Sequence, residues 1–268
     1  MVKSNEKRLT IFGHLAELRT RLIRSAIVVA ITTALSFAFA SQIFELLTYR
    51  SPFTRPIFDF LTNKFHLFPV PDLNLIYIDM TEMLGTYMKV ALAGGLILAI
   101  PYLTFEVVMF VSPALTTKEK RYIYLVLPWV VLMFLVGVVF TYFILLPPAT
   151  RFLTTFGSAI ADPQIRIGNY ISLVTRLLLA VGLVFEMPVL TTFLARLGVV
   201  TSRWLAGKRK IAIVLAFALG AIITPTLDPI NQTLVALPLV LLYEMSIWLA
   251  LLVQKKPKTT VPQPASGQ

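Results

Sequence analysis

Apolar runs recur along this chain at a length and frequency that only a lipid environment accommodates. About 20 consecutive apolar residues cross the ~30 Å hydrocarbon core of a bilayer. Six apolar segments can be read, Leu22 to Leu47, Met83 to Val111, Tyr122 to Leu146, Tyr170 to Leu197, Ile211 to Ile223 and Thr233 to Val253. Of the 268 residues, 57% are hydrophobic, more than a soluble domain of this size can hide. In lipid every backbone N–H and C=O must find a partner within the protein, which leaves helices and closed barrels. The alternation of barrel strands is missing. The pattern therefore predicts an all-α polytopic membrane protein with six transmembrane helices. Residues 1–254 would form the membrane domain, and the polar, Pro-rich stretch 255–268 a disordered cytoplasmic tail.

Three segments carry a complication. Segment five, thirteen residues long, would rise only ~20 Å at about 1.5 Å per residue. Pro238 and Glu244 interrupt segment six, and Pro188 in segment four predicts a kink, because it lacks a backbone donor. Ala38-Phe39-Ala40 looks like a signal-peptidase site, but Glu6 and Glu17 precede it and the apolar stretch continues through Leu47, so cleavage is not expected. Asp228 is placed to cap segment six, with Pro229 at the first helical position.

Orientation follows from the basic residues. Lys3, Lys7, Arg8, Arg19, Arg21 and Arg24 precede segment one; Lys118, Lys120 and Arg121 follow segment two; Arg196, Arg203, Lys208, Arg209 and Lys210 follow segment four; Lys255, Lys256 and Lys258 lie in the tail. The alternate connections are poor in them, so both termini should be cytoplasmic in a multi-pass membrane protein. The net charge of +11 is accounted for by this topology signal. No basic stripe with interleaved aromatics points to nucleic acid. The long outer connection, Thr48 to Asp79, is rich in Pro and aromatics; Phe58, Phe60, Phe65 and Phe68 suggest that it packs as short interfacial helices.

Catalysis has no candidate constellation. The chain has no cysteine, and its two histidines, His14 and His66, fall on opposite sides of the predicted membrane, so no metal site is expected. The G-x-x-x-x-G-K-[ST], G-x-S-x-G and H-E-x-x-H patterns are missing. The reading is a non-enzyme without cofactors.

Acids in basic surroundings are the oddity that remains. Glu17 lies in His14-Leu15-Ala16-Glu17-Leu18-Arg19-Thr20-Arg21, and Glu119 in Lys118-Glu119-Lys120-Arg121. Topology requires neither. Each either pairs locally, Glu17 with Arg21 at i,i+4 for about 0.2–0.5 kcal/mol, or receives a cationic ligand. Glu106 is expected to be solvated near the cytoplasmic surface, and Lys89 and Arg176 to snorkel. Glu186 lies near the middle of segment four, where an ionised acid costs at least about 2.5–3.5 kcal/mol. It should bond to another helix or face a wet hollow. Gln232 enters the membrane early in segment six, where a polar side chain can join helices.

Taken in order, these pieces resemble the TatC family of the twin-arginine protein translocase. The matching residues are His14 to Arg21, Phe110-Val111-Ser112-Pro113-Ala114-Leu115 followed by Glu119, Phe185-Glu186-Met187-Pro188, and Thr224-Pro225 with Asp228 and Gln232. The match departs from the family where Thr226-Leu227 separate Pro225 from Asp228. The resemblance implies a concave six-helix bundle that receives twin-arginine signal peptides of folded proteins. It implies signal-peptide contacts at Glu17, Arg19, Phe110 and Glu119, and an intramembrane polar group at Glu186. Thr224 and Gln232 fall in the region implied to contact single-span translocase partners of the TatA/TatB type. An oligomeric assembly in membrane lipid is expected. The rival reading is an ion-coupled secondary transporter with Glu186, Glu244 and Lys89 as a proton path, but no internal repeat supports it.

Overall fold

In the computed structural model, residues 11–49, 54–65, 75–111, 117–156, 164–224 and 228–254 are described, except for the side chains of 11–12, 61–65 and 111–125. The elements run α1 (Ile11–Ala38), α2 (Ala40–Leu47), α3 (Arg55–Phe65), β1 (Leu75–Ile76), α4 (Glu82–Val111), α5 (Thr117–Phe140), a π turn (Thr141–Leu145), α6 (Leu146–Thr155), β2 (Ile165–Arg166), α7 (Ile167–Phe185), α8 (Met187–Leu197), α9 (Ser202–Gly207), α10 (Arg209–Ile223) and α11 (Pro229–Val253). Tail residues 255–268, together with Phe68, Ser112 to Leu115 and Pro225 to Leu227, lie outside the described residues.

Five stretches are long and apolar enough to cross a membrane among the described residues: Gly13–Ala38, Glu82–Phe110, Val126–Thr155, Ile167–Leu197 and Pro229–Val253. The sixth expected span is α10, whose 15 residues rise about 22 Å, well short of a bilayer core.

Boundaries differ from the expectation where tertiary packing intervenes. Segment one does not run unbroken to Leu47. The helix ends at Ala38, and α2 turns inward, burying Ala40 and Leu47. Phe44 of α2 stacks on Tyr87 of α4 with ring centroids 5.4 Å apart, which holds α2 against α4. Segment three continues past Leu146 to Thr155. Its Pro147-Pro148 pair would clash with carbonyls one turn back in a continuous α-helix. The π turn relieves this: Leu146 N–H donates to the Thr141 carbonyl, five residues back. Segment four kinks as expected, breaking into α7 and α8 at Glu186, so that Pro188 sits in the first turn of α8, where no backbone donor is needed. Segment six is uninterrupted through Pro238 and Glu244. Glu244 is neutralised by a two-pronged pair with Arg209 of α10 (2.7 and 2.9 Å), and α8 and α10 both pack along α11.

The core lies between α4, α5, α7 and α11, where Val90, Val130, Phe134, Ile171, Val174, Leu177, Val181 and Val235 are almost fully buried. The outer connection packs through Phe58, buried against Tyr49, Tyr142 and Phe143, while Phe60 is exposed.

Helix α1 rests on α4 and exposes an apolar stripe including Leu22, Ile27, Ile31 and Leu35. The approach is close because Gly95 has no side chain: a Cβ there would lie 2.6 Å from the Thr33 Cα. Small residues at such a crossing let helix backbones meet in a membrane. This contact sets the register of α1 on α4 and thereby the functional site.

At the opposite end of α4, β1 and β2 form a two-residue parallel bridge that sequence patterning did not foresee. Glu82 caps it, accepting from the Ile78 N–H (3.1 Å), the Gly168 N–H (3.2 Å) and Arg166 Nη2 (3.0 Å). Asp79 accepts from the same Arg166 nitrogen at 2.8 Å. A Cβ on Gly168 would fall 2.9 Å from Glu82 Oε1, so a side chain there would push the Glu82 carboxylate aside.

Candidate functional site

The first turns of α1 and the last turns of α4 meet at one end of the bundle. Glu17 and Arg21, one helical turn apart, share a face of α1. Arg21 donates to Glu17 Oε1 from Nη2 (2.6 Å) and Nε (3.0 Å). Its Nη1 reaches across to Glu106 Oε2 on α4 at 2.7 Å. Tyr102, one turn earlier on α4, donates its hydroxyl to Glu106 Oε1 at 2.7 Å. One guanidinium thus bridges two carboxylates through three of its five N–H donors.

The expected i,i+4 pair of Glu17 with Arg21 forms, but it is only half of the arrangement. Glu106 is not solvated as expected: it is 4% exposed. A buried carboxylate needs charge and hydrogen-bond compensation, and Arg21 and Tyr102 supply both. Glu17 is more open, with its side chain 25% exposed, and its Oε2 accepts no hydrogen bond among the described residues. Beside them, the His14 ring stacks on Phe110 with centroids 4.2 Å apart and planes 18° from parallel. Arg19 is exposed on α1.

The structure therefore brings Glu17 and Phe110 together and leaves Arg19 at the rim. Glu119 is the third residue of α5, and its side chain lies outside the described residues. Sequence reasoning missed the place of Glu106, and with it Tyr102, the reach of Arg21 to α4 and the stacking role of His14. A signal existed in the Tyr102–Glu106 spacing of one helical turn within an apolar segment, where an acid demands a partner.

Three other predicted residues lie elsewhere. Glu186, at the α7–α8 break, is 5% exposed, and its Oε1 is buried with no hydrogen-bond partner among the described residues. Thr224 is buried and donates to the Gly220 carbonyl at 2.8 Å. Gln232 joins helices as expected, its amide donating to the Phe217 carbonyl of α10 at 2.9 Å. Asp228 caps α11 by accepting from the Asn231 N–H at 2.7 Å, also as expected. Among the described residues, no three His, Cys, Asp or Glu side chains gather where a metal could be held.

The model of the Sec-independent protein translocase protein family, TatC, matches residues 13–238. The chain belongs to the TatC family. It is 35% identical over 253 residues to the Sec-independent protein translocase protein TatC of Carboxydothermus hydrogenoformans, with 94% of this chain and 96% of that one covered. It is 40% identical over 247 residues to the TatC of Aquifex aeolicus, covering 91% and 96%. A crystal structure of the twin arginine translocase receptor TatC superposes with a TM-score of 0.74 at 40% identity, over 88% of this chain and 97% of that one. The chain is thus a membrane protein of a protein-transport family, a translocase component and not an enzyme. The matched region of TatC begins one residue before His14 and takes in Glu17, Arg21, Tyr102, Glu106 and Phe110.

Proposed function

We propose that this chain is the receptor and core component of a twin-arginine translocation system, and that it binds the paired arginines of signal peptides on folded cargo. The observation that carries the reading is the Arg21 guanidinium bridging Glu17 and Glu106. A site that seats one guanidinium on two carboxylates has the chemistry to seat another, since the planar fork of arginine matches a carboxylate where lysine offers a point charge. Glu17 Oε2 is the open acceptor for an incoming arginine. Glu119 is proposed as the second, one turn into the helix that follows α4. Arg19 repels cations that miss the acids. His14 and Phe110 offer a flat surface to the residues flanking the arginines, and the apolar part of the peptide runs along the bundle toward Glu186.

In this reading both termini are cytoplasmic, as the basic residues indicate, and α10 spans as a short sixth helix where the local bilayer thins. Thr224 closes the last turn of α10, and Gln232 braces the α10–α11 hairpin. Its exposed apolar residues, among them Val214, Ile222, Leu237, Leu241 and Trp248, are the surface for single-span translocase partners and for oligomer contacts. The transporter alternative has less support. Glu244 is held by Arg209 and Lys89 by Ser172, and no hydrogen bond among the described residues links them to Glu186.

The test is crosslinking of a twin-arginine signal peptide to the chain in membranes. Glu17→Ala, Glu119→Ala and their double variant should lose crosslinking that depends on the peptide's arginines. Undiminished, arginine-dependent crosslinking in the double variant sinks the assignment.

A further inference from the structure

Far from Glu17, between α4, α6 and α7, lies a cavity of about 540 Å³ lined by Lys89, Thr150, Asn169, Ser172 and Arg176 among others. That volume is within the about 300–1,000 Å³ of small-molecule sites. Asn169, Ser172 and Arg176 fall at i, i+3 and i+7 on α7, a single stripe. Lys89 reaches that stripe from α4, its Nζ 3.0 Å from Ser172 Oγ. Arg176 sits one turn beyond Ser172 on the same face and lines the same cavity.

The chemistry of the lining is one-sided. It holds two cations and an amide, and no carboxylate. The nearest acid along α4, Glu82, is committed to Arg166 and to two backbone N–H groups. The hydroxyls of Thr150 and Ser172 donate to the carbonyls of Leu146 and Gly168. Lys89 has only a neutral acceptor, and Arg176 has no bonded partner among the described residues.

Both cations lie within spans, toward the ends that adjoin the β1–β2 bridge. Lys89 is about 10 Å along α4 from Glu82, and Arg176 about 13 Å along α7 from Ile167, at about 1.5 Å per residue. Charge at that depth is costly unless paired or drawn to the interface. Lys89, Asn169 and Arg176 are all exposed at the cavity mouth.

We infer that this cavity is a phosphate-anion site, occupied by the headgroup phosphate of an anionic phospholipid that Lys89 and Arg176 draw inward from the leaflet opposite the Glu17 end. Arg176 supplies a forked pair of N–H donors, Lys89 a point charge, and Asn169 a neutral donor, which together match a phosphodiester. A lipid is favoured over a soluble anion because the cations lie within spanning segments.

The experiment titrates the delipidated full-length chain in detergent with short-chain phosphatidylglycerol and, separately, with inorganic phosphate, and reads the thermal unfolding midpoint and retained ligand by native mass spectrometry. Phosphatidylglycerol should raise the midpoint saturably. Loss of one charge-assisted contact should weaken that binding about tenfold or more, in Lys89→Gln and in Arg176→Gln, while Arg176→Lys, which keeps the charge and loses the fork, should fall between Arg176→Gln and the unsubstituted chain. An equal response to inorganic phosphate, with the same dependence on both cations, supports the site and makes a free anion its source. No saturable shift with either ligand, or an unchanged affinity in the Lys89→Gln/Arg176→Gln variant, overturns the proposal. If the double variant does not fold, Arg176→Gln alone decides, since that exposed side chain holds no partner whose loss would unfold the chain.

Discussion

Replacing Glu106 by glutamine keeps its shape and removes its charge, so it isolates what the α1–α4 ion bridge contributes. The carboxylate is 4% exposed and accepts two bonds, from Arg21 Nη1 and from the Tyr102 hydroxyl, both at 2.7 Å. Hydrogen bonds to charged groups contribute about 1.5–3 kcal/mol each, against about 0.5–1.5 for neutral ones. The Tyr102 bond becomes neutral, at a cost of about 1–1.5 kcal/mol, while the Arg21 bond stays charge-assisted through its guanidinium and loses only the ion-pair part, so the sum is roughly 1–3 kcal/mol. Glu17→Gln is the control. Its pair with Arg21 lies within one helix and is 25% exposed on the acid side, which limits its worth to about 0.3–1 kcal/mol. Chemical or thermal unfolding of the purified chain in mild detergent, read by tryptophan fluorescence or circular dichroism, should rank Glu106→Gln well below Glu17→Gln. A double-mutant cycle with Arg21→Gln should return a coupling energy of about 1–3 kcal/mol for the 21–106 pair. If Glu106→Gln destabilises no more than Glu17→Gln, or the cycle returns zero, the bridge does not hold α1 to α4, and its place in the receptor site loses its physical basis.

Arg21→Ala strands the buried Glu106 carboxylate and should cost about 3–5 kcal/mol; adding Glu106→Gln should restore part of it, as measured by the same unfolding assay. Gly95→Ala places a Cβ 2.6 Å from the Thr33 Cα, so α1 must move; about 1–3 kcal/mol should be lost, and disulfide crosslinking between cysteines introduced at 17 and 106 should fall. Gly168→Ala should break the Glu82 cap and loosen the β1–β2 bridge, seen as faster hydrogen exchange at the Ile78 and Gly168 amides, with little change in signal-peptide crosslinking at the other end of the bundle. Arg209→Ala removes a bidentate but half-exposed pair with Glu244 and should cost no more than about 1 kcal/mol; a larger loss would mean that the pair is dry.

Much of this molecule could be read from the chain alone, because the information is local. Hydropathy over 20 residues finds spans, basic residues count toward orientation, and Asp228-Pro229 marks a helix start, since each depends on neighbours in sequence. The break at Phe39 could not be read this way: Ile43, Phe44, Leu46 and Leu47 are as apolar as a continuing helix would be, and the break shows only in the folded chain, with α2 packed on α4. Nor could the place of Glu106. Arg21 and Glu106 are 85 residues apart, and whether they meet depends on the register of two helices, set by the backbone approach of Thr33 to Gly95. Glu17 beside Arg21 was legible as a helical spacing; that the same guanidinium also reaches a buried acid on α4 was decided by packing, because the long-range pairing of charges is a property of surfaces brought together and not of any one segment.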